Sequence, residues 1–210
     1  MLLRTLFFTF VIRPFIMIIL GLNVRRWENL PESGPAVIVA NHNSHLDTLV
    51  LMTLFKGKRL HLIRPIAAAD YFLKNKFIAW FSLKIMHIIP LDRKPKTKDD
   101  LFNGVYEALD QHDIVILFPE GSRGEPEQVS RFKSGIYHLL KERPDVPVYP
   151  VFMHGLGKSL PKGERVFVPF FCDVFIGESF AWKEDKKEFM NLLQHNMNDL
   201  ASEGSFPLWD

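Results

Sequence analysis

The 210-residue chain contains only one cysteine, Cys172, and no long uninterrupted hydrophobic run. A single cysteine excludes an intramolecular disulfide, and such sparing use of cysteine favours a reducing compartment. Cys172 lies in an apolar, strand-like pattern, so we expect a packed thiol and not a nucleophile. The length suits one domain with a hydrophobic core of ordinary size and is short for two domains of typical size.

A strong charge imbalance is also missing. The formal net charge is +2, and the basic residues are spread along the chain instead of forming one stripe. Because nucleic-acid-binding proteins concentrate basic residues on one surface, this distribution argues against a nucleic-acid partner. The chain has no internal repeat, no low-complexity tract and no linker long enough to divide it.

The N-terminal segment, residues 2–22, is rich in Leu, Phe and Ile but is interrupted by Arg4 and by Arg13-Pro14. A membrane-spanning helix needs about 20 consecutive, mainly apolar residues, so neither half is long enough to cross. No small-x-small cleavage site of a secretory signal follows. We expect residues 1–30 to form one or two interfacial helices whose apolar side chains enter one leaflet while the arginines reach lipid headgroups. A helix packed on the core is the alternative.

From residue 31 to residue 210, apolar strand-like runs alternate with helical patterns. The predicted strands are 36–40, 63–69, 87–91, 114–118, 148–152 and 166–176, and the predicted helices are 46–55, 77–83, 98–111, 134–141 and 183–201. Such alternation predicts a single α/β domain with a mostly parallel or mixed central sheet flanked by helices.

The loop Asn41-His42-Asn43-Ser44-His45-Leu46-Asp47 lies between the first predicted strand and the helical pattern that follows it. Open α/β sheets bind ligands at the C-terminal ends of their strands, so this loop is a candidate site. An imidazole can take a proton from a hydroxyl near neutral pH when a carboxylate fixes its tautomer and stabilises the imidazolium. His42 and Asp47 have the types and spacing for a general base and its orienting carboxylate.

Other roles compete for the same residues. Ser44-x-x-Asp47 is also a capping box, in which Ser44 caps the helix and Asp47 bonds back to the amide of the cap. His42, His45 and Asp47 could instead bind a metal ion, although nothing downstream completes a recognisable metal motif. We expect His45, on the first helical turn, to pack or to face solvent.

An arginine follows each of two later strand-like runs. Arg93 comes after the run 87–91, and Arg123 comes after the run 114–118. Guanidinium groups bind phosphate through paired, charge-assisted hydrogen bonds. Either arginine alone could be a solvated surface charge, but their repeated position at one sheet edge favours a phosphorylated substrate with a hydroxyl near His42.

Taken in order, these residues resemble the four sequence blocks of the glycerolipid acyltransferases, typified by the bacterial 1-acyl-glycerol-3-phosphate enzymes. The blocks are His42-x4-Asp47; Ile89-Pro90-Leu91-Asp92-Arg93; Phe118-Pro119-Glu120-Gly121-Ser122-Arg123 with Phe132-Lys133-x-Gly135; and Val146-Pro147-Val148-Tyr149-Pro150-Val151. The resemblance covers about residues 22–155. The chain departs from the family pattern at two places: the glycine that commonly precedes the second strand is absent from Lys84-Ile85-Met86-His87, and Gly124-Glu125-Pro126-Glu127 replaces a small polar continuation.

The resemblance implies transfer of an acyl group from a thioester, acyl-CoA or acyl carrier protein, to the free hydroxyl of a lysophospholipid. The implied acceptor is 1-acyl-glycerol-3-phosphate, the implied product is phosphatidic acid, and no cofactor or metal is needed. His42 and Asp47 would be catalytic, and the implied substrate-binding residues are Arg93, Glu120, Gly121, Ser122 and Arg123. The backbone amides around Glu120-Gly121 are the expected donors to the oxyanion of the transition state.

The resemblance also implies a monotopic or peripheral protein that contacts membrane phospholipids at the cytoplasmic face of the inner membrane. Three alternatives stay open from the sequence. The acceptor could be another lysolipid or an amino-lipid. The chain could be a metal-dependent hydrolase that uses His42, His45 and Asp47, or a membrane lipid-binding protein without catalysis.

Overall fold

The structure is a computed structural model that describes residues 2–72, 75–92, 99–122, 124, 130–159 and 171–204. Its strands are β1 (Leu22–Arg25), β2 (Ala36–Ala40), β3 (Ile63–Ala68), β4 (Ile89–Leu91), β5 (Ile114–Leu117), β6 (Val148–His154) and β7 (Cys172–Ile176). Its helices are α1 (Leu2–Phe7), α2 (Arg13–Ile19), α3 (Asp47–Thr53), α4 (Ala69–Phe72), α5 (Lys76–Phe81), α6 (Asn103–Asp110), α7 (Gly135–Lys141), α8 (Leu156–Ser159) and α9 (Lys186–Ser202). Short π-helical turns follow α1 (Phe8–Ile12) and α5 (Ser82–Met86).

The described strands form one seven-stranded sheet in the order β1-β7-β6-β2-β5-β3-β4. Neighbouring strands are parallel except for β6 and β7, which are antiparallel. The predicted α/β domain with a mixed sheet is therefore confirmed. All five residues of β2 are buried, since its Ala, Val and Ile side chains meet apolar layers on both faces. The C-terminal ends of the parallel strands β2, β5 and β6 consequently meet at one edge.

Alternate residues of β2 contribute to opposite core layers. Ile38 belongs to the layer that holds α2 and α3, whereas Val37 and Val39 belong to the layer that holds α6, α7 and α9. The longest helix, α9, begins at the cap Asp185, whose carboxylate accepts a hydrogen bond from the N–H of Glu188. Both faces of the sheet are thus covered, and the strand ends are left to form a site.

The N-terminal helical segment packs on the first of these layers. Phe8, Ile16 and Leu20 are buried in it, and the guanidinium of Arg4 donates to the carbonyl of Ile63 over 2.9 Å. The opposite side exposes large apolar side chains: Leu2, Leu3, Leu6, Phe10, Val11, Phe15, Met17 and Ile18. The segment therefore combines the two expected arrangements, a core-packed side and an exposed apolar side. Within the described ranges, no helix is long and apolar enough to cross a membrane.

Strand β1 is not predicted from the sequence, and it lies inside the expected membrane segment 1–30. Leu22–Arg25 pairs in parallel with β7, so this segment also contributes a strand to the central sheet. Of the predicted strand 166–176, Cys172–Ile176 is observed, and residues 166–170 lie outside the described ranges. Cys172 is buried there as a free thiol, as expected.

Candidate active site

The site is built on the loop that leaves β2, and Asn41 fixes where this loop begins. The Asn41 side chain donates to the carbonyl of Met153 over 2.8 Å and accepts from the Met153 N–H over 2.7 Å. The buried amide thus continues the pairing of β2 with β6 by one residue. This role of Asn41 is not predicted from the sequence. The one signal for it is that a polar residue directly follows a fully apolar strand.

His42 and Asp47 are brought together as predicted. Nδ1 of His42 lies 2.9 Å from Oδ2 of Asp47. Because an ionised carboxylate can only accept, Nδ1 carries the proton in this pair, and Nε2 on the opposite side of the ring has the lone pair of a base. The His42 ring also stacks on Phe118, with the ring centroids 4.3 Å apart. Two contacts therefore fix the orientation of the imidazole.

The carboxylate of Asp47 is 1% exposed, and its Oδ2 also accepts the N–H groups of Asn43 over 2.7 Å and Ser44 over 2.9 Å. The bond from Ser44 is the reach-back bond expected of a capping box, but Leu46 is the N-cap of α3 and makes no side-chain cap bond, so the predicted cap by the Ser44 side chain is not observed. Burial raises the pKa of Asp47 above its ordinary value, and the hydrogen bonds from His42, Ser44 and Asn43 oppose that rise.

The side chain of Glu120 holds the backbone of His42 in place. Its Oε1 accepts the N–H of His42 over 3.0 Å, while the carbonyl of His42 accepts the N–H of Gly124 over 2.9 Å. Glu120 is 5% exposed, and this burial raises its pKa against hydrogen bonds from the His42 N–H and the Ser130 hydroxyl. The third sequence block thus holds the first block in place.

Gly121 and Ser122 are exposed in the turn that follows Glu120. The Gly121 N–H donates to the carbonyl of Phe118 over 3.1 Å, so this amide is already used within the turn. In the observed conformation the Gly121 amide is therefore not available as an oxyanion donor, and the role of the other amides around Glu120-Gly121 stays a prediction. Hydrogen bonding inside a turn is a local preference that the sequence block alone does not reveal.

Beside these residues lies a cleft of about 470 Å³. Its apolar lining comes from the ends of β3, β4 and β5 and from the starts of α6 and α7: Ile66, Ala67, Ala68, Leu91, Leu101, Phe102, Leu117 and Ile136. Its polar lining includes His42, His45, Thr48, Asp70, Ser122 and Lys133. His42 thus lines a cleft whose apolar side chains are suited to binding a hydrocarbon chain.

Arg93 and Arg123, the predicted phosphate ligands, lie outside the described residues. His45 is exposed and lines the cleft. Among the residues that the structure describes, no three His, Cys, Asp or Glu side chains are grouped to hold a metal ion, and the triplet His42, His45 and Asp47 is no exception.

Comparison with known proteins identifies relatives of this chain. The family model described as Acyltransferase matches residues 21–154. The chloroplastic 1-acyl-sn-glycerol-3-phosphate acyltransferase LPAT1 of Arabidopsis thaliana is 32% identical, with coverage of 69% of this chain and 39% of that protein. The alpha form of 1-acyl-sn-glycerol-3-phosphate acyltransferase of Homo sapiens is 32% identical, with coverage of 72% and 52%. The chain therefore spans about half or less of the length of these relatives.

A solved structure shares the fold. The crystal structure of PlsC from Thermotoga maritima, a 1-acyl-sn-glycerophosphate acyltransferase, superimposes with a TM-score of 0.72 at 20% sequence identity. The match covers 99% of this chain and 98% of that one.

Proposed function

The chain belongs to the Acyltransferase family, and from that premise we propose that it transfers an acyl group from a thioester to the free hydroxyl of a lysophospholipid, with His42 as general base. The observation that carries the proposal is the His42–Asp47 pair in the wall of a largely apolar cleft. Nδ1 of His42 is turned to a buried carboxylate, which leaves Nε2 for the substrate. This is the arrangement that proton removal from a hydroxyl requires.

In the proposed reaction, Nε2 of His42 removes the hydroxyl proton as the acceptor oxygen bonds to the thioester carbonyl carbon. The tetrahedral intermediate then collapses, the carbon–sulfur bond breaks, and the leaving thiolate takes up the proton from His42. Asp47 stabilises the imidazolium between these steps. The acyl group moves directly between substrates, so no acyl-enzyme forms.

The proposed acceptor rests on the phosphate-binding chemistry of the arginines and on the names of the relatives. Both curated relatives carry 1-acyl-sn-glycerol-3-phosphate in their names, and we propose this acceptor for the chain, with phosphatidic acid as its product. Arg93 and Arg123 would hold the phosphate, and Ser122 would contact the headgroup. Fixing the phosphate positions the hydroxyl against His42, which can contribute several orders of magnitude in rate. The apolar lining of the cleft would hold an acyl chain.

The surface suits a substrate that resides in a lipid bilayer. The exposed apolar side of α1 and α2 is joined by α5 and its π-helical turn, because the rings of Phe7 and Phe81 pack edge to face with their centroids 5.5 Å apart. α5 and this turn also expose Phe77, Ile78, Trp80 and Leu83. We propose that this apolar face enters one leaflet, at the cytoplasmic face of the membrane, where acyl-CoA or acyl carrier protein would supply the acyl group.

The proposal is tested with the purified chain, lysophosphatidic acid and either acyl-CoA or acyl carrier protein as donor, with the lipid product analysed by mass spectrometry. We expect phosphatidic acid with one donor acyl group added. The activity should persist in EDTA, whereas a metal-dependent hydrolase would lose it. Release of free fatty acid without acylated lipid would contradict the proposal, and parallel reactions with lysophosphatidylcholine and with an amino-lipid would identify a different acceptor.

A further inference from the structure

Lys133 lines the cleft, and its side chain lies against Gly121. A Cβ atom placed on Gly121 would lie only 2.7 Å from Nζ of Lys133 and 3.2 Å from its Cδ. The lysine side chain therefore occupies the space that any larger residue at position 121 would fill. Gly121 also has a φ angle of +72°, which a glycine adopts without strain. The two halves of the third sequence block meet at this contact.

The backbone around Lys133 is held on both sides. Phe132 is buried in the core layer of α7, and the Lys133 N–H donates to the carbonyl of Pro119 over 2.9 Å. Helix α7 begins two residues later, at Gly135. This anchoring places the Cα atom of Lys133 next to the Glu120-Gly121-Ser122 turn. The flexible lysine side chain therefore starts close to Glu120, the residue that holds the His42 loop.

The ammonium group of Lys133 carries a positive charge at the surface of the cleft. Within the described ranges, Lys133 forms no ion pair. The charged side chains in the described cleft lining are Lys133 and Asp70, and Asp70 lies on α4 beyond the end of β3. Lys133 is exposed, so its charge stays hydrated at the mouth of the cleft. Such a charge favours an anionic ligand at this position.

We propose that Lys133 binds the phosphate of the acceptor lipid, as a ligand additional to the two arginines; this inference rests on the proposed acyltransferase function. A phosphate monoester keeps part of its hydration, which suits an exposed ammonium at the cleft mouth. The negative charge that develops in the reaction lies instead on the carbonyl oxygen of the thioester, whose carbon must be next to the hydroxyl held by His42. Ser122, exposed in the same turn, adds a hydroxyl that can donate to a phosphate oxygen.

The experiment compares Lys133→Met, which keeps the aliphatic stem, with Lys133→Arg, which keeps the charge. Lys141→Met is the matched control, since Lys141 is exposed at the end of α7 and does not line the cleft. We expect Lys133→Met to raise the KM for lysophosphatidic acid by about 10- to 100-fold, the usual effect of losing a charge-assisted hydrogen bond. The KM for the acyl donor should stay within about twofold, and Lys133→Arg should recover most of the loss.

A second measurement does not depend on turnover. Calorimetry compares the binding of short-chain lysophosphatidic acid to His42→Ala and to the double variant His42→Ala/Lys133→Met, and we expect the double variant to bind at least tenfold more weakly. Equal binding, or a rise in the donor KM alone, would overturn the role of Lys133. A fall in kcat with an unchanged acceptor KM would overturn it too. If the unmodified protein acylates no lysophosphatidic acid, the proposed function fails by itself, and calorimetry still decides whether Lys133 binds the phosphate.

Discussion

Oδ2 of Asp47 accepts three hydrogen bonds, and one of them comes from Nδ1 of His42 over 2.9 Å. The other two come from the backbone N–H groups of Asn43 and Ser44, in the loop before α3. One carboxylate oxygen thus holds the loop before α3 and fixes the tautomer of the base. The spacing of four residues between His42 and Asp47 follows from this geometry, because the carboxylate at the first position of α3 reaches back over the loop that precedes it.

Asp47→Asn should lower kcat by about 10²–10⁴-fold. An asparagine amide can donate to Nδ1, which would move the proton to Nε2 and remove the base. Steady-state kinetics with a phosphorylated acceptor measures the loss. Asp110→Asn, on the exposed side of α6, is the control and should keep normal kcat. An Asp47→Asn protein of normal kcat would show that the tautomer of His42 does not matter.

Asn41→Ala should lower the free energy of unfolding by about 2 kcal/mol, because it leaves the buried N–H and carbonyl of Met153 without their partner. Turnover should also fall, since the His42 loop loses its attachment to β6, although Asn41 contacts no substrate. Urea denaturation and kinetics on the same preparation separate the two effects. Unchanged stability would contradict the clamp inferred from the hydrogen bonds.

The sequence predicts the His42–Asp47 pair because both residues lie within one loop and one helical turn. It does not predict the partner of Asn41 or the bond from Glu120 to His42, since those join residues 112 and 78 positions apart. The strand β1 escapes prediction for a related reason. Its four residues alternate between half-buried and exposed, and only pairing with the distant β7 makes them a strand. Local sequence patterns predict contacts between residues that are close in the chain. The contacts of Asn41, Glu120 and β1 form only when the sheet is assembled.

The free energy of unfolding should fall in mild acid, because His87 binds a proton more readily in the unfolded chain than in the folded one. Burial, followed by the charges of Arg64 and Arg4, lowers the pKa of His87 from 6.5 to about 4. Between these values the unfolded chain binds more protons than the folded one, so the contribution of His87 is complete above pH 6.5 and is lost as the pH falls toward 4. Nδ1 of His87 lies 3.2 Å from the Arg4 guanidinium, a contact that needs the neutral ring.

His87→Asn removes the titration, and asparagine tolerates the left-handed conformation of this residue. Urea denaturation of both proteins at pH 7, 6 and 5 should show a steeper loss of unfolding free energy for the unmodified chain. The buried carboxyls titrate in both proteins, so their effects cancel in the comparison. Parallel pH dependences would contradict the lowered pKa.

Replacing Phe10 and Ile18 with Asp should release the protein from anionic vesicles without unfolding it. These side chains are 72% and 81% exposed, so the core does not depend on them, whereas two charges oppose entry of the apolar face into a leaflet. Vesicle co-sedimentation and a thermal melt provide the measurements. The same two charges introduced at Gln111, exposed directly after α6, and at Asn191, exposed on α9, should leave binding intact. Full vesicle binding by the Phe10/Ile18 variant would place the membrane contact elsewhere.

The most direct test of the account is the turnover of His42→Ala with lysophosphatidic acid and the preferred acyl thioester, followed by mass spectrometry of phosphatidic acid. The imidazole is only partly buried and lies outside the core, so the variant should fold and bind the acceptor normally. We expect its rate to fall by about 10²–10⁴-fold, as is typical when a general base is lost. A rate close to that of the unmodified protein would contradict the role of His42 and, with it, the proposed mechanism.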